Sequence, residues 1–81
     1  MTIFIPDLPE YEPLRVGVAS RDDCRVAGPR RGYWRVDASG ELTLTRKGLG
    51  LTPALWYSCL SGGFLGRVTQ FDRDTLRLID D

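Results

Sequence analysis

The sequence predicts a small, mainly β domain of α+β character: five short antiparallel strands forming a partly open barrel or curled sheet, with one short helix between strands three and four. Three observations predict it. Apolar residues recur at every second position in Leu14-Val16-Val18, Trp34-Val36, Leu42-Leu44 and Leu76-Leu78, the period of a half-buried strand. Short turn-like stretches, Ala38-Ser39-Gly40 and Asp72-Arg73-Asp74, lie between such runs. Thr52-Pro53 pairs a capping hydroxyl with the residue best suited to the first helical position, which starts a helix. At 81 residues, 42% hydrophobic and 27% charged, the chain is too apolar for disorder and long enough for one core only. It contains no internal repeat and no low-complexity segment.

Residues 1–13 read as a Pro-rich, acidic N-terminal arm ahead of a single β-rich domain over 14–81. Pro6, Pro9 and Pro13 remove backbone donors and hold their neighbours extended. The apolar cluster Ile3-Phe4-Ile5 favours an arm packed on its own core, because small monomers rarely expose such clusters. Leu14, Val16 and Val18 then form the first strand. Ser20 to Pro29 has turn-like composition, with Ser20 and Asp23 spaced as a capping box on one short helical turn. Pro29-Arg30-Arg31-Gly32 closes that loop.

Tyr33–Asp37 and Glu41–Arg46 flank Ala38-Ser39-Gly40 and read as a hairpin, with Trp34, Val36, Leu42 and Leu44 inward and Tyr33, Arg35, Glu41, Thr43 and Thr45 outward. In the helix after Thr52-Pro53, Leu55, Trp56, Cys59 and Leu60 share one face and Gly62-Gly63 supplies a stop. Gly66–Phe71 and Thr75–Ile79 read as a second hairpin, with Leu76 and Leu78 inward. Val68 and Phe71 differ in parity, so both face the core only if the strand carries a bulge.

Formal charge is zero, but it is segregated: residues 1–13 sum to −3, residues 14–67 to +5 and residues 68–81 to −2. No run approaches the roughly 20 apolar residues of a membrane span, and the N-terminal stretch lacks signal-peptide features. The expected location is therefore cytoplasmic, with Cys24 and Cys59 reduced. Histidine is absent, which excludes Ser/His/Asp and Cys/His nucleophilic arrangements. The paired acids Asp22-Asp23, Asp72 with Asp74 and Asp80-Asp81 all fall in turns or at the terminus, where nothing raises a carboxyl pKa for general acid work. The reading is non-enzymatic, without metal or cofactor. Cys59 is expected to be an inert core thiol and Cys24 a plain loop thiol.

Two constellations remain. Arg46, Lys47, Gly48 and Gly50 lie just ahead of the helix start and form a candidate anion-holding segment, although a plain strand-to-helix connection accounts for them as well. Arg15, Tyr33, Arg35 and Arg77 sit opposite inward-facing apolar residues, so strand parity places them on one outer face, extended by Arg30 and Arg31. That basic surface with an aromatic suits a protein partner presenting acids. It suits single-stranded nucleic acid as well, through phosphate contact and base stacking. The plainer account is a solubilised sheet face whose arginines pair with Asp37 and Glu41. The lead expectation is a protein-interaction module, an adaptor, accessory subunit or inhibitor, using the arginine face and the Pro-rich arm. The alternative is a small nucleic-acid-binding barrel, and self-assembly through an exposed strand edge is a third reading. An acidic arm lying over its own basic face would be an internal competitor.

Overall fold

The computed structural model describes residues 1–81 and bears out the mainly β class, with seven strands in two antiparallel sheets that do not close into a barrel and short helices among them. Strands β1 (Thr2–Pro6), β2 (Cys24–Arg30), β3 (Tyr33–Ala38) and β5 (Phe64–Leu65) form the first sheet, in the order β2-β3-β1-β5. Strands β4 (Glu41–Thr45), β6 (Arg67–Phe71) and β7 (Thr75–Ile79) form the second, in the order β4-β7-β6. No helix is long and apolar enough to cross a membrane.

The N-terminal segment is no arm. Thr2–Pro6 is an interior strand, paired with β3 on one side and β5 on the other, so Ile3 and Ile5 are buried while Phe4 faces out. The expected cis packing is realised as sheet hydrogen bonding. Pro9 begins a 3₁₀ turn (Pro9–Tyr11), and Pro13 lies in the first turn of helix α1 (Glu12–Ala19). Proline's fixed φ suits the first positions of a helix as well as it suits an extended arm.

Helix α1 also replaces the expected first strand, because Leu14 and Val18 repeat at i and i+4 as well as at every second position. They alone of the helix are buried, and Val16 is exposed. The expected loop over Ser20–Pro29 is largely strand β2, an edge strand, where a proline without a donor is tolerated.

Both strands of the expected 33–46 hairpin exist, with the predicted inward set: Val36, Leu42 and Leu44 are buried and Trp34 is half-buried. They do not pair. β3 lies between β1 and β2, while β4 pairs with β7 in register Leu42↔Leu78 and Leu44↔Leu76. Gly40, at φ 81°, carries the chain from one sheet to the other in a conformation that favours glycine.

The second hairpin is as expected, and the parity question left open by the sequence is answered by a bulge: pairing runs Val68↔Leu78 and then Gln70↔Arg77 and Phe71↔Leu76. That extra residue brings both Val68 and Phe71 against the core. Helix α2 (Arg46–Leu49) occupies the connection, and α3 (Pro53–Tyr57) starts where predicted, Thr52 Oγ1 accepting from the Leu55 N–H. Trp56 is fully buried, donates Nε1–H to the Asp72 carbonyl at 2.6 Å and meets Phe71 edge-to-face. The inner faces of both sheets join Leu14, Val18, Leu51, Trp56 and Cys59 in one core.

Candidate functional site

The pairing of β1, β2 and β3 decides which side chains share the outer face of the first sheet. Residues directly opposite one another project to the same side, so the register Phe4↔Arg35, Ala27↔Arg35, Pro6↔Tyr33 and Arg25↔Asp37 gathers these residues outward. Beyond them the chain turns at Arg31-Gly32, with Arg30 opposite Tyr33. Phe4, Ala27, Gly28, Arg30, Arg31, Tyr33 and Arg35 line one open concavity of about 620 Å³. Its floor is apolar and its rim is cationic.

The cations differ in how far they are spent. Arg35 donates Nε–H to both oxygens of Asp37, at 2.9 and 3.1 Å, leaving its terminal nitrogens without a protein acceptor. That guanidinium, and then the Thr2 hydroxyl, hold the Asp37 carboxyl below its ordinary range. Arg25, Arg30 and Arg31 make no ion pair and no side-chain hydrogen bond. Tyr33 is 42% exposed, and Gly62 sits so close to it that an added Cβ would lie 3.1 Å from its ring and 2.4 Å from the Phe4 carbonyl oxygen. The close backbone approach at Gly62 supports the aromatic side of the concavity.

The turn itself is strained. Arg31 has φ 54° and Gly32 φ 83°, positive at both central residues as tight β-hairpins prefer. Glycine takes this conformation freely, whereas a side chain there costs on the order of 1–2 kcal/mol. The structure thus holds a long cation at a position where asparagine or glycine would fold better, beside the concavity.

The other predicted site residues lie elsewhere. Arg77 belongs to the second sheet and pairs with Glu41 at 3.0 Å. Arg15 is on α1, its guanidinium 4.8 Å from the Trp34 ring centroid and its Nη2 3.5 Å from Glu12. Trp34 projects to the inner side of the sheet and donates Nε1–H to Asp7 at 3.0 Å. The single face expected for Arg15, Arg35 and Arg77 is therefore corrected: Arg30, Arg31, Tyr33 and Arg35 come together, and Arg15 and Arg77 do not join them. The acidic segment does not cover the basic face either, since Asp7 and Glu12 are directed to Trp34 and Arg15.

Around α2, Arg46 donates to the carbonyls of Arg73 and Leu51, the Gly48 N–H goes to Thr45 Oγ1, and Gly50 terminates the helix at φ 69°. These groups stitch the strand-to-helix connection, and only Lys47 is left exposed without a partner. Burial pushes the Cys59 thiol up to about 11. Cys24 is a buried strand residue rather than a loop thiol. Desolvation, then the adjacent Asp23 carboxylate, raises its pKa despite nearby Arg21.

Phe4, Ala27 and Gly28 were not foreseen as site residues. Phe4 is hidden in the run Ile3-Phe4-Ile5, where three apolar residues in a row conceal which one points outward. A scan against protein-family models finds no match, and neither does a search of curated proteins.

Proposed function

We propose that this chain is a non-enzymatic interaction module, an adaptor, accessory subunit or inhibitor, that holds an acidic segment of a protein partner on the outer face of its first sheet. The observation that carries the reading is that Arg30 and Arg31, without acidic partners of their own, stand with Tyr33 and Arg35 around an apolar-floored concavity. Unpaired guanidiniums offer bidentate donors to carboxylates. An apolar floor with arginine and tyrosine around it is the composition of a binding hot spot. The Pro-rich segment is built into β1 and α1 and contributes to the concavity through Phe4. A second reading, single-stranded nucleic acid, draws on the exposed Tyr33 ring beside those cations. The neutral charge of the whole chain weighs against it, since it supplies no long-range attraction to phosphate.

Fluorescence anisotropy with a labelled oligoglutamate peptide and a labelled oligo(dT) separates the two. Oligoglutamate is expected to bind, more weakly as salt rises, and to lose about tenfold or more in affinity with Arg30→Glu/Arg31→Glu. Arg77→Glu, on the other sheet, is expected to stay within about twofold. Equal loss in both variants, or no oligoglutamate binding at low salt, overturns the proposal. Tighter binding to oligo(dT) that disappears in Tyr33→Ala transfers the site to nucleic acid.

A further inference from the structure

Phe4 is an oddity of the first sheet. It sits on an interior strand, between β3 and β5, faces outward and is half-buried, yet takes no part in the core. Across the strands it is followed by Arg35 on β3 and Ala27 on β2, and the neighbouring row holds Pro6, Tyr33 and Arg30. Between these two rows β2 sets Gly28 and Pro29 against the single residue Trp34, because the register shifts between Ala27 and Arg30. Two small residues, Ala27 and Gly28, are thereby grouped with the rings of Phe4 and Tyr33. What the small ones leave open is a recess rather than a flat face.

Acids alone do not fill it. At about 620 Å³ the recess is of the size that takes a small organic group. Carboxylates drawn to Arg30 and Arg31 stay at the cationic rim and leave Phe4, Ala27 and the Tyr33 ring to water. Lengthening an acidic run gains little, because the face turns acidic beyond Arg25, where Asp22, Asp23 and Asp37 line a second hollow. A side chain that covers the apolar floor gains by burial. Rings favour another ring, edge-on or offset, and a guanidinium adds its planar face. The protein makes that last contact within itself, Arg15 lying 4.8 Å from the Trp34 ring centroid. Arg35, fixed through Nε to Asp37, is held in place as a wall.

Resting on the reading that an acidic segment docks on this face, we propose what that segment carries: an aromatic residue among its acids, its ring seated in the recess over Phe4 and Ala27 beside Tyr33. The neighbouring carboxylates reach Arg30 and Arg31. The ring supplies the anchor and the acids hold it in position.

The test is calorimetric titration of the protein with acetylated, amidated heptapeptides: heptaglutamate, and the same peptide with its central residue replaced by phenylalanine, cyclohexylalanine or serine. Each has the same side-chain order in both directions, so the direction of the bound chain is immaterial. The phenylalanine peptide carries one charge fewer than heptaglutamate and is still expected to bind about tenfold more tightly. The serine peptide, equal to it in charge, is expected to bind no better than heptaglutamate. Cyclohexylalanine, as bulky but without π electrons, should bind roughly threefold or more weaker than phenylalanine. Phe4→Thr keeps a strand-forming residue on the outer face and leaves the core untouched. It is expected to cut the phenylalanine advantage to about twofold while heptaglutamate stays within about twofold. Equal affinity of the phenylalanine and serine peptides, with heptaglutamate bound, overturns the anchor and leaves the acidic-segment reading standing. An advantage undiminished in Phe4→Thr also overturns it, since the ring then sits elsewhere, and cyclohexylalanine binding as well as phenylalanine overturns the choice of an aromatic. Should no peptide bind at low salt, both the anchor and the reading beneath it fall.

Discussion

On the outer face of the second sheet, Thr43, Thr45 and Thr75 surround Arg77, whose Nε lies 3.0 Å from Glu41. The first sheet presents instead Arg30 and Arg31 without acidic partners, beside the apolar floor made by Phe4, Ala27 and Tyr33. Both faces carry outward arginines on alternating strands, so a period-two reading cannot tell them apart. Partnering separates Arg77, neutralised by its cross-strand neighbour Glu41, from Arg30 and Arg31; Arg67, outward on the second sheet and also without an acidic partner, lines no concavity, so the first face is set apart by unpaired cations standing around an apolar floor. An outward arginine is thus a solubilising residue until its surroundings leave it unspent.

The largest effect should come from removing what holds the unspent face together. Deleting residues 1–6 takes β1 out from between β3 and β5 and strips Ile3 and Ile5 from the core. Losing two buried isoleucines costs on the order of 4–10 kcal/mol by cavity arithmetic, comparable to the whole stability of a small domain. The shortened chain is expected to show no cooperative urea transition by circular dichroism. Retained cooperative unfolding would mean that the second sheet and α3 fold without the first.

A smaller change sharpens the contrast at the turn. Arg31→Asn places at φ 54° a residue that tolerates it, and should stabilise the protein by about 0.5–1 kcal/mol while weakening oligoglutamate binding. Stabilisation and weaker binding together would mark the strained arginine as kept for recognition. A destabilised variant would show that Arg31 serves the fold.

The smallest effects are expected from pH, spread over the pairs both sheets use. Asp23 is lowered to about 2 by its hydrogen bond with Arg21. Asp37 is lowered by Arg35, Asp72 by Gln70 and the Asp74 and Thr75 amides, and Asp80 by the terminal ammonium and the Gly40 amide. In each case the folded state binds its proton less readily than the unfolded chain. This stability is complete above the ordinary value of 3.8 and is lost as pH falls through the folded values, toward about 2 for Asp23. Cys59 acts at the other end: its folded pKa of about 11 exceeds the ordinary 9.0, so its contribution is intact below that value and fades as pH rises from there. Urea midpoints should be level between about pH 5 and 8 and decline on both sides. A midpoint rising below pH 4 would contradict the assigned carboxylate partners.

What the sequence alone determined was local. The hairpin of β6 and β7 was legible because its pairing spans few residues, whereas the parity conflict at Val68 and Phe71 was settled, by a bulge, only in the fold. The start of α3 at Thr52-Pro53 and the inward set Val36, Leu42, Leu44, Trp56, Leu76 and Leu78 were legible for the same reason. So were the two partners, Asp37 and Glu41, that neutralise outward arginines. The tertiary structure decided what depended on distant competition. β1, far along the chain, took the edge of β3 that a local hairpin would have given to β4, and the i, i+4 spacing of Leu14 and Val18 made a helix where i, i+2 spacing allowed a strand. Those two outcomes sent Arg15 and Arg77 away and brought Phe4 in. A side chain's parity is set by the backbone it sits on, but the sheet it joins is set by which strand reaches its edge and which core accepts its inner face.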